Sequence, residues 1–459
     1  MNILRIVRRL KLHRLKKIIY IPIEVYTREI DAKLLIAALA CDRGWSVVIG
    51  PKASMHRLCR HLPAGVFLGI GFHESATKIA REMKSLGHEV LSQDEEGLVR
   101  LRSDLYSEYR VSSKICDEST KVLCWGTDHF ATMTSLFPNA INIVNSGNAR
   151  LDLTHGNLPS LFNEEASNIN ARHGSFVLIN GNFGSANHTK GKDFFWEELR
   201  RRGWLNTTEK KSFNLGRIEF QSQIFQEMLA LTKFLCNSGV KVVVRPHPSE
   251  NLAPWIELAN QCEGKLEVIR EGNVLSWMRA ADYVVHNGCT TALEGCLSGY
   301  KIITYRPLRS PGFESELPNK VGAIAENQEQ VLAAVSSASQ YESCLRNESE
   351  STVAEALNCD GLAAVRIIDV AEEVIGRERK RSAAALIDII LTEYQLVKYS
   401  ISKVLFPGRR SYEESKCPAL DRVTIERFLR KVNQIQGYSF NLKLGELTTE
   451  CLIISKRRI

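Results

Sequence analysis

The sequence has no run of 18 apolar residues, which excludes a membrane-spanning helix. It has no CxxC pair and no Cys/His spacing of the metal-binding kind, although it holds 12 cysteines. Most of them, such as Cys41, Cys124 and Cys296, sit in apolar or helical surroundings, so they read as reduced thiols of a cytoplasmic protein. No internal repeat or low-complexity tract is present, and no DxD-like motif stands where a donor metal would be held. The start, MNILRIVRRLKLHRLKK, lacks the apolar core of a secretory signal: basic residues run through it, and the first apolar run, Ile18 to Ile23, belongs to a strand. What is present is 459 residues with 44% hydrophobic content, enough for two or three domains with full cores. The net charge of +8 is moderate and lies partly at the two ends, and no nucleic-acid partner is expected from it.

Strands and helices alternate along the chain. Lys17–Ile23, Ser46–Ile49, Gly65–Ile70, Glu89–Ser92, Val122–Trp125 and Ile141–Val144 read as strands. Helices are expected between them at Thr27–Arg43, Met55–Leu62, Ser75–Leu86, Leu98–Tyr109 and His129–Leu136. The pattern predicts a doubly wound α/β domain over residues 17–150, behind a basic leader at 1–16. A linker is expected at 151–172, a second doubly wound domain at 173–380, and a helical extension with a basic tail at 381–459. The second domain opens on strand Ser175–Asn180 and the turn Gly181-Asn182-Phe183-Gly184. A Lys/Arg-rich helical insertion (His188 to Lys211) and a long helix (Arg217 to Asn237) follow. Further helices are expected at Glu326–Ala338, Leu362–Arg377, Ser382–Leu405 and Thr424–Gln434, with two short strands near the end. The first 17 residues can form a basic amphipathic helix resting on an anionic membrane, or a solvated leader.

The stretch Val240 to Pro307 organises the second domain. VKVVVRPHPSE opens on a continuous apolar, β-branched run, Val240 to Val244, as in a parallel strand buried on both faces, which delivers Arg245, His247 and Pro248 to its C-terminal end. ADYVVHNGCTTALEGCLSGYKIITYRP reads as strand, turn, helix, strand, with Asn287 in the turn and Thr290 and Thr291 at the helix start. Ligands of open α/β sheets bind at the C-terminal strand ends, so His247 and the two threonines are placed to meet one nucleotide phosphate from two neighbouring strand ends. Glu294, one turn on, either accepts from ribose hydroxyls or points to solvent. Asn182 and Asn187 are further candidates in a Gly/Asn loop, and Arg245 either binds phosphate or braces the HP turn.

These residues carry a resemblance. RPHP, HNGCTTALEG and IITYRP resemble the HP motif and Ser/Thr pair of bacterial transferases that use cytidine nucleotides: sialyl- and polysialyltransferases, capsule Kdo transferases and CDP-glycerol glycerophosphotransferases. The chain down to about Ile375 also resembles the surface carbohydrate biosynthesis protein group, and GNARLDL resembles its GNPRxD entry to the linker, with Ala149 where Pro is usual. The resemblance implies a GT-B architecture, two Rossmann-like domains facing a cleft, with a late helix that often crosses back to the first domain. It also implies that no metal is needed, because protein groups neutralise the donor phosphate.

Two acidic clusters follow strands of the first domain. Glu24, Arg28, Glu29 and Asp31 follow the first strand, with Arg28 and Asp31 spaced to pair with each other. SQDEEGL follows the fourth and resembles the D/E-D/E-G motif of the sialyl- and polysialyltransferases: Glu95, Glu96 and Gly97 match it and Asp94 precedes it. The resemblance implies that an acid here removes the acceptor hydroxyl proton. In retaining Kdo transferases a cleft carboxylate is instead the nucleophile, and spacing leaves both roles open. His73, His129 and His188 are expected to be structural, and Trp125 to pack the domain. The expected protein is a cytoplasmic glycosyltransferase that moves an acidic sugar of Kdo or nonulosonic type from a CMP-activated donor substrate to a glycan or lipid-linked glycan, with no cofactor. The alternatives are a CDP-glycerol-type polyol-phosphate transferase, a UDP-sugar epimerase of similar fold, and a non-catalytic, membrane-associated assembly protein.

Overall fold

Six short apolar runs near the start of the chain form a parallel sheet. In the computed structural model, which describes residues 12, 15–97, 103–345, 349–375, 394, 417, 420–438, 442–448 and 450–456, they are β1 (Ile18–Ile23), β2 (Ser46–Pro51), β3 (Val66–Ile70), β4 (Glu89–Gln93), β5 (Lys121–Leu123) and β6 (Ile143–Val144). Their order is β2-β1-β3-β4-β5-β6. The chain therefore winds one way from β1 to β2 and the other way from β3 on, which opens a crevice at the C-terminal ends of β1 and β3. All six residues of β1 are buried, as a strand covered on both faces requires. Helix α1 (Tyr26–Asp42) has the apolar run LLIAALAC and is buried along most of its length. A helix apolar all round must be covered all round, and α1 is: it lies on β1 and β2, with two late helices over it.

A second sheet is built from β7 (Val177–Asn180), β8 (Val242–Arg245), β9 (Leu266–Val268), β10 (Tyr283–His286), β11 (Ile302–Tyr305) and β12 (Ala323–Ala325). Its order is β9-β8-β7-β10-β11-β12, every neighbouring pair parallel, with the switch between β7 and β10. Between β7 and β8 lie α2 (Gly191–Arg201) and the 30-residue α3 (Thr208–Asn237). Phe220, Ile224, Met228, Leu231 and Leu235 of α3, spaced three or four apart, are buried with Val242, Val244 and Trp255 in this sheet's core. The seven-residue α4 (Thr291–Leu297) follows β10.

The late elements return to the first sheet. Helix α5 (Ala363–Val374) buries Ala364, Ile367, Ile368 and Ala371 and packs on α1, as does α6 (Arg422–Gln436). The hairpin of β13 (Leu442–Glu446) and β14 (Leu452–Lys456) extends the sheet, β14 running antiparallel to β2. Gly50 lets this strand approach: a Cβ there would lie 2.5 Å from Cys451 Sγ.

The protein is α/β with two Rossmann-like units, the element content a GT-B chain requires. One unit comprises Met1–Gly97, Arg110–Leu161 and Ala356–Ile459; the other comprises Leu98–Tyr109 and Phe162–Glu355. The expected division into consecutive blocks is corrected accordingly: residues 356–375 pack with the first unit because the apolar face of α5 is buried on α1, and 103–109 go with the second. The expected leader helix and the helix at 382–405 lie outside the described residues, apart from Leu12, Leu15, Lys16, Lys17 and Tyr394.

Candidate functional site

In the second unit, His247 and the two threonines do not end neighbouring strands, as the sequence had suggested. β7 lies between β8 and β10, so at ~4.8 Å per strand the two ends stand roughly 10 Å apart. The loop after β7, with Asn182, fills that interval. Asn180 Nδ2 donates to Thr291 Oγ1 at 3.1 Å, and Asn182 Nδ2 to the Gly288 carbonyl at 3.3 Å. Gly288 itself has φ +64, a left-handed conformation that suits glycine. Its N–H donates to Asn319 Oδ1 at 2.7 Å, while Asn287 Nδ2 is spent on the Tyr305 carbonyl at 2.8 Å. His286 beneath the turn is fully buried, and burial pushes its pKa down to about 3. The neutral ring accepts from Cys289 N–H on Nδ1 and donates from Nε2 to Thr304 Oγ1 at 2.8 Å. Thr290 stands at the head of α4 without capping it by its side chain. Glu294 is only 5% exposed, so it does not point to solvent.

The HP loop is exposed at His247 and Pro248. His247 Nδ1 accepts from Ser249 N–H at 3.2 Å and pairs with Ser249 Oγ at 2.7 Å. Acceptance on Nδ1 puts the proton of the neutral ring on Nε2, a donor suited to a phosphate oxygen. The loop is braced by a residue that sequence reasoning missed. Glu250 is fully buried, and its Oε1 accepts from the N–H groups of His247 (2.8 Å) and Phe183 (3.1 Å) while Oε2 accepts from Trp255 Nε1 (3.2 Å). It ties the loops after β7 and β8 together. Burial raises its pKa against the pull of those hydrogen bonds. Arg245 does not brace the HP turn: its guanidinium donates to the Glu271 and Gly272 carbonyls and lies 5.3 Å from the Trp277 ring centre. Burial lowers its pKa to about 10. Arg270 braces the turn instead, donating to the carbonyls of His247 and Glu250.

In the first unit the three adjacent acids have three different surroundings. Asp94 is 1% exposed and forms a two-pronged pair with Arg110, at 2.9 and 3.2 Å. Burial would raise its pKa; Arg110 outweighs that and holds it below the ordinary range. Asp94 thus braces the loop through Arg110. Glu96 is half exposed and pairs with Arg110 at 2.7 Å and, at 3.4 Å, with Arg28. Glu95 is 11% exposed; one oxygen lies 3.5 Å from Lys33 Nζ, and the other, Oε2, is buried with no hydrogen-bond partner. Lys33 also meets Glu29 at 2.5 Å and the Pro22 carbonyl at 2.7 Å. Glu95, Lys33, Gln93, Asn148 and Arg150 line a cavity beneath α1 of about 20 Å³, room for one water. Burial opposes the charge on Glu29, but Lys33 and Arg28 prevail and its pKa is lowered; its oxygens also accept the N–H groups of Glu24 and Val25. Arg28 therefore pairs with Glu29 and Glu96, and the expected pair with Asp31 gives way to these. Glu24 directly follows β1, partly exposed, 2.9 Å from Lys52 Nζ.

The GNARLDL segment is a clasp. Asn148 caps Arg150 N–H and donates to Gln93 Oε1, and the Asp152 carboxylate accepts the N–H groups of Ala363 and Ala364, each at 2.8 Å, at the start of α5. Burial raises the Asp152 pKa to about 6. Trp125 is fully buried and donates to the Asp94 carbonyl, His129 accepts from Trp125 N–H, His73 caps a helix, and His188 bridges to Glu250. Among the described residues no group of three His, Cys, Asp or Glu suited to a metal occurs, and no helix is long and apolar enough to cross a membrane.

No family model matches the chain, and no curated protein matches it. Among solved structures it is similar to the wall teichoic acid polymerase TagF, with 8% identity, TM-score 0.45, and 81% of this chain and 96% of that one covered. It is also similar to the Methanocaldococcus jannaschii UDP-GlcNAc 2-epimerase in complex with UDP-GlcNAc and UDP, with 13% identity, TM-score 0.45, and 78% and 99% covered. A third likeness is to Anabaena HepE in complex with UDP, with 8% identity, TM-score 0.40, and 78% and 99% covered.

Proposed function

We propose that this protein is a cytoplasmic glycosyltransferase of surface-polysaccharide assembly that moves an acidic sugar, of Kdo or nonulosonic type, from a CMP-activated donor to a glycan. The observation that carries the reading is the flanking of the β7 end by two preorganised sets of hydrogen-bonding side chains, each suited to a phosphate oxygen. On one side stands the exposed His247 imidazole, its tautomer set by Ser249 and its loop by Glu250. On the other stand Thr290 and Thr291, the latter positioned by Asn180. A phosphate at the β7 end would take hydrogen bonds from both sides, and the His247 Nε2–H would stabilise the charge that grows on the leaving CMP. In the first unit, Glu95 is the acid best suited to take the acceptor proton. Asp94 and Glu96 are both held by Arg110, whereas one Glu95 oxygen has no hydrogen bond.

The test is thermal stabilisation by a panel of CMP, CDP and UDP, followed by turnover of CMP-activated acidic sugars and of CDP-glycerol. CMP should stabilise most, and His247→Ala should remove most of that stabilisation without lowering the unliganded melting temperature, since the ring is exposed. Preference for UDP sinks the cytidine assignment; turnover of CDP-glycerol alone replaces the sugar donor with a polyol phosphate.

A further inference from the structure

The Lys/Arg-rich insertion has so far had no role. Helix α2 has the sequence GKDFFWEELRR and is followed by Arg202, Gly203 and Trp204. From Lys190 to Arg202 it carries five basic and three acidic residues, and Lys190, Lys192, Arg200, Arg201 and Arg202 are all exposed. At 100° per residue Phe195, Trp196 and Leu199 share one side of the helix. Leu199 is buried, while Phe195 and Trp196 are half-buried, Phe195 lying 5.8 Å from the His188 ring centre. The segment leading into α2 is stitched to the HP loop: His188 bridges to Glu250, Thr189 N–H donates to the Ser249 carbonyl at 2.8 Å, and Asn251 N–H to the Asn187 carbonyl at 2.8 Å.

We propose that α2 is a membrane-docking helix that seats Trp196 and Phe195 at the headgroup level of an anionic lipid surface. Aromatic side chains partition to that level, and a helix with Lys and Arg beside them is drawn to anionic lipid. The segment's excess of cations supplies charge complementarity: Lys190 and Lys192 stand before the aromatics, and Arg200 to Arg202 after them are paired with Glu197 and Glu198 of the same helix. Docking would hold the HP loop close to the lipid surface, since that loop and the root of α2 share a backbone hydrogen-bond ladder. This inference is independent of which nucleotide the second unit binds.

Tryptophan quenching tests it on the full chain. Trp45, Trp125, Trp255 and Trp277 are fully buried, so quenching by brominated lipid tails reports chiefly Trp196, with half-buried Trp204 as the only other source. Vesicles of brominated phosphatidylcholine with phosphatidylglycerol should quench the wild type, and the quenching should fall sharply in Trp196→Phe. Lys190→Gln with Lys192→Gln should weaken vesicle binding by roughly tenfold or more, with an unchanged melting temperature, since each cation near the surface contributes about 1 kcal/mol. Vesicle binding without Trp196 quenching would place docking elsewhere, such as the basic leader, and overturn the inference. So would protection of Trp196 from acrylamide by a surface glycan with no quenching by lipid, because α2 would then be a glycan platform.

Discussion

Replacing Glu250 should separate the brace of the HP loop from the ring it presents. Its carboxylate takes three donors, the His247 and Phe183 N–H groups on one oxygen and Trp255 Nε1–H on the other. Glu250→Ala leaves all three without their acceptor in a buried setting. At about 1–3 kcal/mol for each donor left unsatisfied, and with water entering the vacated space, the loss should be about 3–5 kcal/mol. Glu250→Gln keeps an oxygen for the two backbone donors but turns an NH2 group toward the indole N–H. It should cost about 1–2 kcal/mol, because burying a neutral amide in place of a carboxylate returns part of the loss. The raised pKa fixes the pH dependence. The ionised form is disfavoured in the folded protein, so this group lowers stability above its folded pKa, and the deficit shrinks as pH falls toward the unfolded value. The stability gap between wild type and Glu250→Gln should therefore change across that acid window. The assay is urea denaturation followed by tryptophan emission, with CMP titrations alongside; both variants should bind CMP more weakly, Ala more than Gln. If Glu250→Ala lies within about 0.5 kcal/mol of wild type, or if Ala and Gln behave alike, the three-donor account is wrong.

Further outcomes are expected. Glu95→Gln should abolish transfer while CMP binding survives, and Glu96→Gln should have a smaller effect; near-normal turnover of Glu95→Gln would shift attention to Glu24. Asp152 is raised from 3.8 to about 6 by burial, so its charge lowers folded stability by about 3 kcal/mol above pH 6 and that cost is relieved as pH falls through 6 toward 4. Wild type measured against Asp152→Asn by urea denaturation should show this drift, and a flat difference from pH 7.5 to 4.5 would refute it. Arg245→Lys should loosen the Glu271–Gly272 loop and lower the melting temperature with little change in CMP affinity, since its guanidinium is spent on carbonyls.

The parallel strands were legible because burial on both faces writes itself as an unbroken apolar run. VKVVVR and IIYIPI became β8 and β1 within one or two residues of expectation. β9 and β12 were missed because three residues, Leu-Glu-Val and Ala-Ile-Ala, carry no period, and their neighbours in the sheet decide their state. The motifs at the strand ends could be found, but not who holds whom. That Arg245 reaches Glu271 and Gly272, that Arg110 fixes Asp94, and that Glu250 collects donors from two loops all depend on packing between distant segments. The acidic run shows the limit best. Three adjacent carboxylates look alike in sequence, yet Arg110, Arg28 and Lys33 give each a separate setting.

The pairing of β14 with β2 has a consequence for synthesis. Ile49 waits for Leu452, about 400 residues later in the chain. At ~5–20 residues per second, translation leaves β2 without this neighbour for roughly 20–80 s. Throughout that interval the strand presents open hydrogen-bonding groups and an apolar stripe, Val47, Val48 and Ile49, to any nascent chain nearby. A protein shortened before 442 would keep that exposure permanently, and its characteristic failure would be edge-to-edge aggregation in the cell even though every residue of the two crevices is still encoded.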